Sequence, residues 1–202
     1  MKLKELEGLL QDVAVFDEPK IHLEQYVTTP HLASRILFTA HSVYDDIENK
    51  IVADFGCGCG ILRTASHQIF SDQDIDPDAL RIASDNCSKF ELSVDFLLTD
   101  LTLDPKWQKN DNIIDTIVMN PPFGTKNKGV DMIFLKKAVE VANNAVYSLH
   151  KTSTREHILK KAKEWGVDCE VLAELKFDIP NMYKFHRRKS VDIQVDFLRL
   201  AK

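Results

Sequence analysis

No stretch of the 202 residues approaches the roughly 20 consecutive apolar side chains that a bilayer-spanning helix needs. The opening Met1-Lys2-Leu3-Lys4-Glu5 lacks the apolar run of a secretory signal. The expectation is an intracellular protein, in the cytoplasm or the nucleus, with no membrane partner. Cysteine is scarce: of Cys57, Cys59, Cys87 and Cys169, only the first two are close, one residue apart inside a glycine loop. That spacing suits neither a zinc ribbon nor a disulfide framework, so free thiols and no metal are expected. Repeats, low-complexity tracts and linkers are lacking too. At this length, with 44% hydrophobic residues, the chain suffices for one well-buried domain, 1–202, and leaves little for a second.

An excess of positive charge is also missing, since the net charge is −5. Its distribution is uneven. Residues 1–100 carry 8 Lys/Arg against 18 Asp/Glu, and residues 101–202 carry 18 against 13. A basic patch in the second half therefore permits a polyanion partner, because phosphates sample the local potential, although lysines that merely solvate helix faces give the same count.

Apolar spacing predicts helices over 3–13, 31–44, 78–90, 131–143 and 153–165, the last capped by Ser153, with 19–29 irregular. Strands are predicted over 51–55, 94–98, 113–119, 145–149, 169–177 and 191–200. Strands alternating with helices imply an α/β fold with a doubly wound, mostly parallel sheet flanked by helices.

The first candidate site follows the strand at 51–55, where Gly56-Cys57-Gly58-Cys59-Gly60 forms a loop and Ile61-Leu62 resumes apolar character as a helix does. Glycines let the backbone turn tightly and approach a ligand closely, and in open α/β sheets ligands sit beyond the carboxyl ends of the strands. The spacing G-x-G-x-G, with Asp54 two residues before it, is that of methyltransferase cofactor loops rather than of dinucleotide sites. Asp74, in Asp74-Ile75-Asp76, stands where an acidic residue would bind a ribose diol.

The second site is Asn120-Pro121-Pro122-Phe123, directly after an apolar strand. An adenine amino nitrogen is a poor nucleophile because its lone pair is delocalised into the ring. The Asn120 side-chain carbonyl and the Pro121 backbone carbonyl suit its two N–H groups and would draw it toward tetrahedral geometry. The prolines stiffen the turn. Phe123 offers a flipped-out base a face to stack on, a contact of about 1–3 kcal/mol.

With these motifs, and with Leu23-Glu24-Gln25-Tyr26, residues 44–50, 145–155 and 189–193, the sequence resembles the methyltransferase-like family of class I adenine-N(6) methyltransferases that act on small-subunit (18S-type) ribosomal RNA. The resemblance covers nearly the whole chain. It implies a Rossmann-like sheet with an antiparallel strand near the C-terminus, a helical extension and cofactor lid over 1–45, and a core over 46–202. It implies S-adenosyl-L-methionine as cofactor, with Gln25 and Thr28 closing over it, Asp74 on its ribose and Asp100 beside its adenine. Asp54, Gly56, Gly58, Gly60, Leu62, Ile75, Leu101 and Asn120 belong to the same implied set. Structured RNA and a small zinc-ribbon activator subunit, forming a heterodimer, are the implied partners.

One stretch departs from the family pattern. Residues 61–73 are 13 in number, short for a helix, turn and strand, and no aliphatic run precedes Asp74. The second strand, the ribose contact and cofactor affinity are expected to suffer. A basic segment before the last strand, with Lys184, Arg187, Arg188 and Lys189 around Phe185, joins Lys126 and Lys128 as a candidate RNA channel, the alternative being a solvated hairpin tip. DNA adenine, a protein glutamine amide, and a non-enzymatic RNA- or partner-binding module remain open alternatives.

Overall fold

The computed structural model describes residues 2–63, 70–103, 113–180 and 190–202. Helices α1 (Leu3–Leu10) and α2 (Pro30–Ser42) precede strand β1 (Val52–Phe55). Then come β2 (Phe70–Asp74), α3 (Pro77–Lys89), β3 (Asp95–Leu98), β4 (Thr116–Met119), α4 (Val130–Val141), β5 (Ala145–Lys151), α5 (Arg155–Trp165), β6 (Asp168–Pro180) and β7 (Ser190–Ala201). The strands form one sheet in the order β3-β2-β1-β4-β5-β7-β6. The first five are parallel, and β7 is antiparallel to both of its neighbours. The order in which the chain adds strands thus reverses between the parallel neighbours β1 and β4, which opens a crevice at their carboxyl ends.

Period-two alternation sorts side chains onto the two faces. Val52, Val118, Tyr147 and Leu149 meet Leu6, Leu10, Leu32, Ile36 and Leu37 of α1 and α2 on one face. Ala53, Ile117, Met119 and Val146 meet Leu135 and Ala138 of α4 and Ile158 and Ala162 of α5 on the other. Residues 1–45 are therefore no appendage, since α1 and α2 help close the core. The arm after α1 is clasped by the Asn86 amide: Ala14 N donates to Asn86 Oδ1 at 2.8 Å, and Asn86 Nδ2 donates to the carbonyls of Ala14 at 2.9 Å and Cys59 at 2.8 Å, while Lys89 Nζ donates to the Asp12 carbonyl at 2.8 Å.

Three expectations need correction. The second strand is present, paired parallel to both β1 and β3. Backbone hydrogen bonds from two sides hold it although Phe-Ser-Asp-Gln-Asp lacks aliphatic residues. Residues 61–63 form turns rather than the start of a helix. Ser153 does not cap α5: residues 152–154 wind as a 3-10 turn, and Thr154 takes the N-cap position without a side-chain cap bond.

Candidate active site

The glycine loop owes its shape to Gly56, Gly58 and Gly60, whose φ values of 75°, 54° and 77° lie in the left-handed region. Gly56 N and Cys57 N both donate to the Gln73 carbonyl at 2.9 Å, which ties the loop to β2. The three glycines divide the work. A Cβ at Gly58 would stand 3.2 Å from the Phe16 ring, and one at Gly56 would stand 3.3 Å from Phe134. Gly60 does not line the crevice. It lets α3 approach instead, with Ala83 Cβ only 3.1 Å from where its Cβ would be. Gly60 acts as a packing residue at a position where the resemblance implied a cofactor contact.

The crevice holds a cavity of about 200 Å³ lined by residues of both motifs and of the 19–29 segment. Of the expected cofactor positions, Gln25, Thr28, Asp54, Gly56, Gly58, Leu62, Asp74, Ile75, Asp100, Leu101 and Asn120 all line it. Phe16, Tyr26, Thr99, Thr102 and Phe134 line it as well, and sequence reasoning missed them. Their types carry no signal of their own, because an isolated aromatic or threonine in a loop looks like any other.

Asp74 shapes the site before any ligand arrives, its two carboxylate oxygens accepting from Gly58 N and Asp76 N, each at 2.9 Å. Burial pushes its carboxyl up, and these backbone bonds oppose the shift. Asp54 is fully buried; burial, with Asp72 and Asp74 adding, raises it well above the carboxylate range while Arg63 opposes. Its Oδ1 has no hydrogen-bond partner. Asp72, beside it on β2, is pushed by burial to about 7 against the pull of Arg63. Asp100 Oδ1 accepts from Thr102 N and Oγ1 at 2.8 and 2.6 Å.

A strap over 20–29 closes the cavity from above. Lys20 Nζ and Gln25 Nε2 each donate to Asp76 at 2.6 Å, and Gln25 Oε1 accepts from Lys20 N at 2.7 Å. Gln25 is at the cavity wall as expected, yet both ends of its amide serve the strap. Burial works upward on Asp76, but the Lys20 and Gln25 bonds hold it below the usual carboxylate range. At the strap's other end Glu24 Oε1 accepts from Lys126 N at 2.7 Å, and Thr28 Oγ1 accepts from Asn120 Nδ2 at 3.0 Å.

Asn120 Oδ1 is left buried with no partner. Pro122 lines the cavity beside Asn120. Phe123 does not face the cavity; it is 2% exposed. Its ring stacks on Tyr26 with centroids 6.3 Å apart and meets Phe177 edge-on at 5.6 Å. Behind this loop Asp131 Oδ1 would lie 3.2 Å from a Cβ at Gly124, and Asp131 Oδ2 stands 3.7 Å from Nδ1 of the buried His150. Burial works upward on Asp131, and the His150 contact leaves it below the usual range. Lys126 and Lys128 are exposed just past the tetrapeptide. Lys184, Arg187, Arg188 and Lys189 lie outside the described residues. Among the described residues, no cluster of histidine, cysteine and carboxylate has the makings of a metal site, and no helix is long and apolar enough to cross a membrane.

The donor and acceptor set fits a nucleoside-bearing cation. Asp54 and Asn120 present unpartnered acceptors, Asp74 and Asp100 add carboxylates, and Phe16, Ile75, Leu101 and Phe134 supply apolar walls. A doubly wound sheet, a G-x-G-x-G loop and such a cavity at the strand reversal define a Rossmann-like methyltransferase, whose methyl donor is S-adenosyl-L-methionine. The model of the methyltransferase small domain matches residues 29–151, and the chain belongs to that family. It is similar to the rRNA N(6)-adenosine-methyltransferase METTL5 of Danio rerio, 54% identical over 208 residues that cover 100% of this chain and 99% of that protein. The corresponding Mettl5 of Drosophila melanogaster is 49% identical, covering 98% and 96%. The crystal structure of PH1948 from Pyrococcus horikoshii superposes with a TM-score of 0.86 at 32% identity, covering 100% of this chain and 98% of that one.

Proposed function

We propose that this methyltransferase methylates N6 of an adenosine in ribosomal RNA, specifically that of the small subunit, as the catalytic half of an intracellular heterodimer with a small zinc-ribbon activator. One observation carries the chemistry. Asn120 Nδ2 is engaged by Thr28, so its Oδ1 remains as a buried acceptor on a proline-stiffened turn. An acceptor left without a donor in a buried site costs about 1–3 kcal/mol, and a substrate N–H relieves that cost.

Asn120 Oδ1 takes one N–H of the adenine amino group and the Pro121 carbonyl takes the other. The nitrogen is drawn toward tetrahedral geometry, its lone pair is released from the ring, and the proton it sheds on alkylation passes to water. S-adenosyl-L-methionine would be held by the glycine loop, Asp54, Asp74 and Asp100, and would supply a methyl group on a positively charged sulfur. No general base is required, because fixing the nitrogen in line with that methyl contributes up to roughly 7–11 kcal/mol. The relatives' names support ribosomal RNA as substrate, and the exposed Lys126 and Lys128 beside the tetrapeptide suit phosphates. The activator is supported by the apolar edge of the sheet, where Leu97 and Leu98 of β3 are 36% and 56% exposed.

The test is incubation of the chain, with and without the activator subunit, with radiolabelled cofactor and small-subunit ribosomal RNA. Label is expected in N6-methyladenosine and is lost in Asn120→Ala. Label in a glutamine amide, or none from a folded, RNA-binding chain, overturns the reading.

A further inference from the structure

The strap over 20–29 does more than roof the cofactor cavity. Two of its latches, Glu24 to Lys126 N and Thr28 to Asn120, fasten to the loop that receives the substrate. Between them Tyr26 lays its ring over Phe123, at an interplanar angle of 26°. Phe177 takes the edge of Phe123 at 86°, and the phenylalanine is left 2% exposed. The acceptor Asn120 Oδ1 is covered as well. A purine stacked on Phe123 needs a face of that ring clear of other aromatic groups. Tyr26 already flanks that ring in an offset stack, with centroids 6.3 Å apart. The backbone beneath it is held in an uncommon form, with Glu24 at φ 54° following the 3-10 turn Ile21–Leu23, so the segment has a conformation to relax from.

We infer that Tyr26 holds the place of the target base on Phe123 and is displaced by it, which makes the strap the gate of the acceptor site. The inference rests on the adenine reading above. The exchange is one of like for like. A flipped base restores the stacking that Tyr26 gives up, and its amino group donates to Asn120 Oδ1. A glutamine side chain restores no stack, so the gate selects a planar base over an amide. Because RNA binds productively only to the open fraction, its apparent affinity is reduced by that fraction, and removing the plug removes the reduction.

The experiment compares the full chain with Tyr26→Ala and Tyr26→Phe, using small-subunit ribosomal RNA as substrate. Tyr26→Ala should lower the KM for RNA several-fold, and Tyr26→Phe, which keeps the ring, should return KM to the parent value. A fall in kcat of tenfold or more with KM unchanged would make Tyr26 a supporting wall of the base site and overturn the inference. Hydrogen exchange on the unmutated chain supplies an independent reading. Amides of residues 20–29 should exchange faster with RNA carrying the target adenosine, and not with the same RNA made abasic there; equal exchange in both also overturns it. If the unmutated chain makes no N6-methyladenosine at all, it is the adenine reading that fails.

Discussion

On one side of the crevice the sheet continues through β4, β5, β7 and β6; on the other it ends after β1, β2 and β3. The first side is long-stranded and pairs its buried carboxylates Asp46 and Asp196, although Ser148 Oγ, His150 Nδ1 and Nε2 and Asn120 Oδ1 find no hydrogen bond there. β6 and β7 span 13 and 12 residues, and β5 is buried along all but its last position. Its buried charges are shared out: Arg199, Tyr147 and Asn144 all bond the Asp46 carboxylate, and Arg155 bonds both Asp196 and Glu174. The second side has strands of four or five residues. Asp72 and Gln73 sit fully buried on β2 with side-chain atoms that find no hydrogen bond. Its last strand is largely open to solvent. The side that carries Asn120 ties its buried carboxylates Asp46 and Asp196 to arginines, whereas the side that shapes the cofactor loop leaves the Asp72 carboxylate without a hydrogen bond and an apolar edge open.

The largest effect that would break this contrast is on the side of the paired carboxylates. Asp46→Ala leaves Arg199, Tyr147 and Asn144 without their shared acceptor and should cost roughly 3–5 kcal/mol in urea unfolding. A loss below about 1 kcal/mol would mean that this half is no better tied than the other.

On the uncompensated side Asp72→Asn should stabilise. Its carboxyl is raised from 3.8 to about 7 in the folded chain, so the folded state holds a proton that the unfolded state releases. The stability tied to that proton is complete below about pH 4 and is lost as pH rises through about 7. The gain from Asp72→Asn should therefore be small at pH 4 and reach roughly 1–3 kcal/mol at pH 8, read from denaturant midpoints at both values.

A smaller change in stability is expected at the open edge. Leu97→Glu/Leu98→Glu should shift unfolding of the isolated chain by no more than about 0.5 kcal/mol, while abolishing co-purification with the activator subunit. Retained co-purification would place that partner elsewhere. Smallest of all, breaking the solvated pairs Arg81–Asp85 on α3 and Lys136–Glu140 on α4 should leave the melting temperature unchanged on both sides. A measurable loss at either would show that surface charge contributes to the contrast.

The same division explains what the sequence revealed. Strands β1, β4, β5 and β7 and the helices were legible because burial on two faces or one writes itself as apolar runs and helical spacing, as in Val52-Ala53-Asp54-Phe55 and Val130–Val141. β2 was not, since a strand held by ladders on both flanks needs no apolar spelling of its own. Within the site, the residues that work through backbone spacing or a distinctive dipeptide, Gly58 and Asn120 among them, were readable. The latches were not: the Lys20–Asp76 pair and the Glu24–Lys126 bond join positions 56 and 102 residues apart, and nothing local marks either partner. Phe123 was read for its chemistry, but its covering by Tyr26 depends on how the strap lies, which composition does not encode.

The Asn86 clasp bears on the order of events at the ribosome. Ala14 and Asn86 are separated by 72 residues, and at about 5–20 residues per second the amide that fastens the arm is made roughly 4–14 s after the arm itself. During that interval Leu6, Leu10 and Val13 lack a completed α3, and β4 and β5 are still to come. The first segment synthesised is thus secured only after α3 is made, and a nascent chain halted before Asn86 should present those side chains to chaperones that bind unfolded apolar sequence.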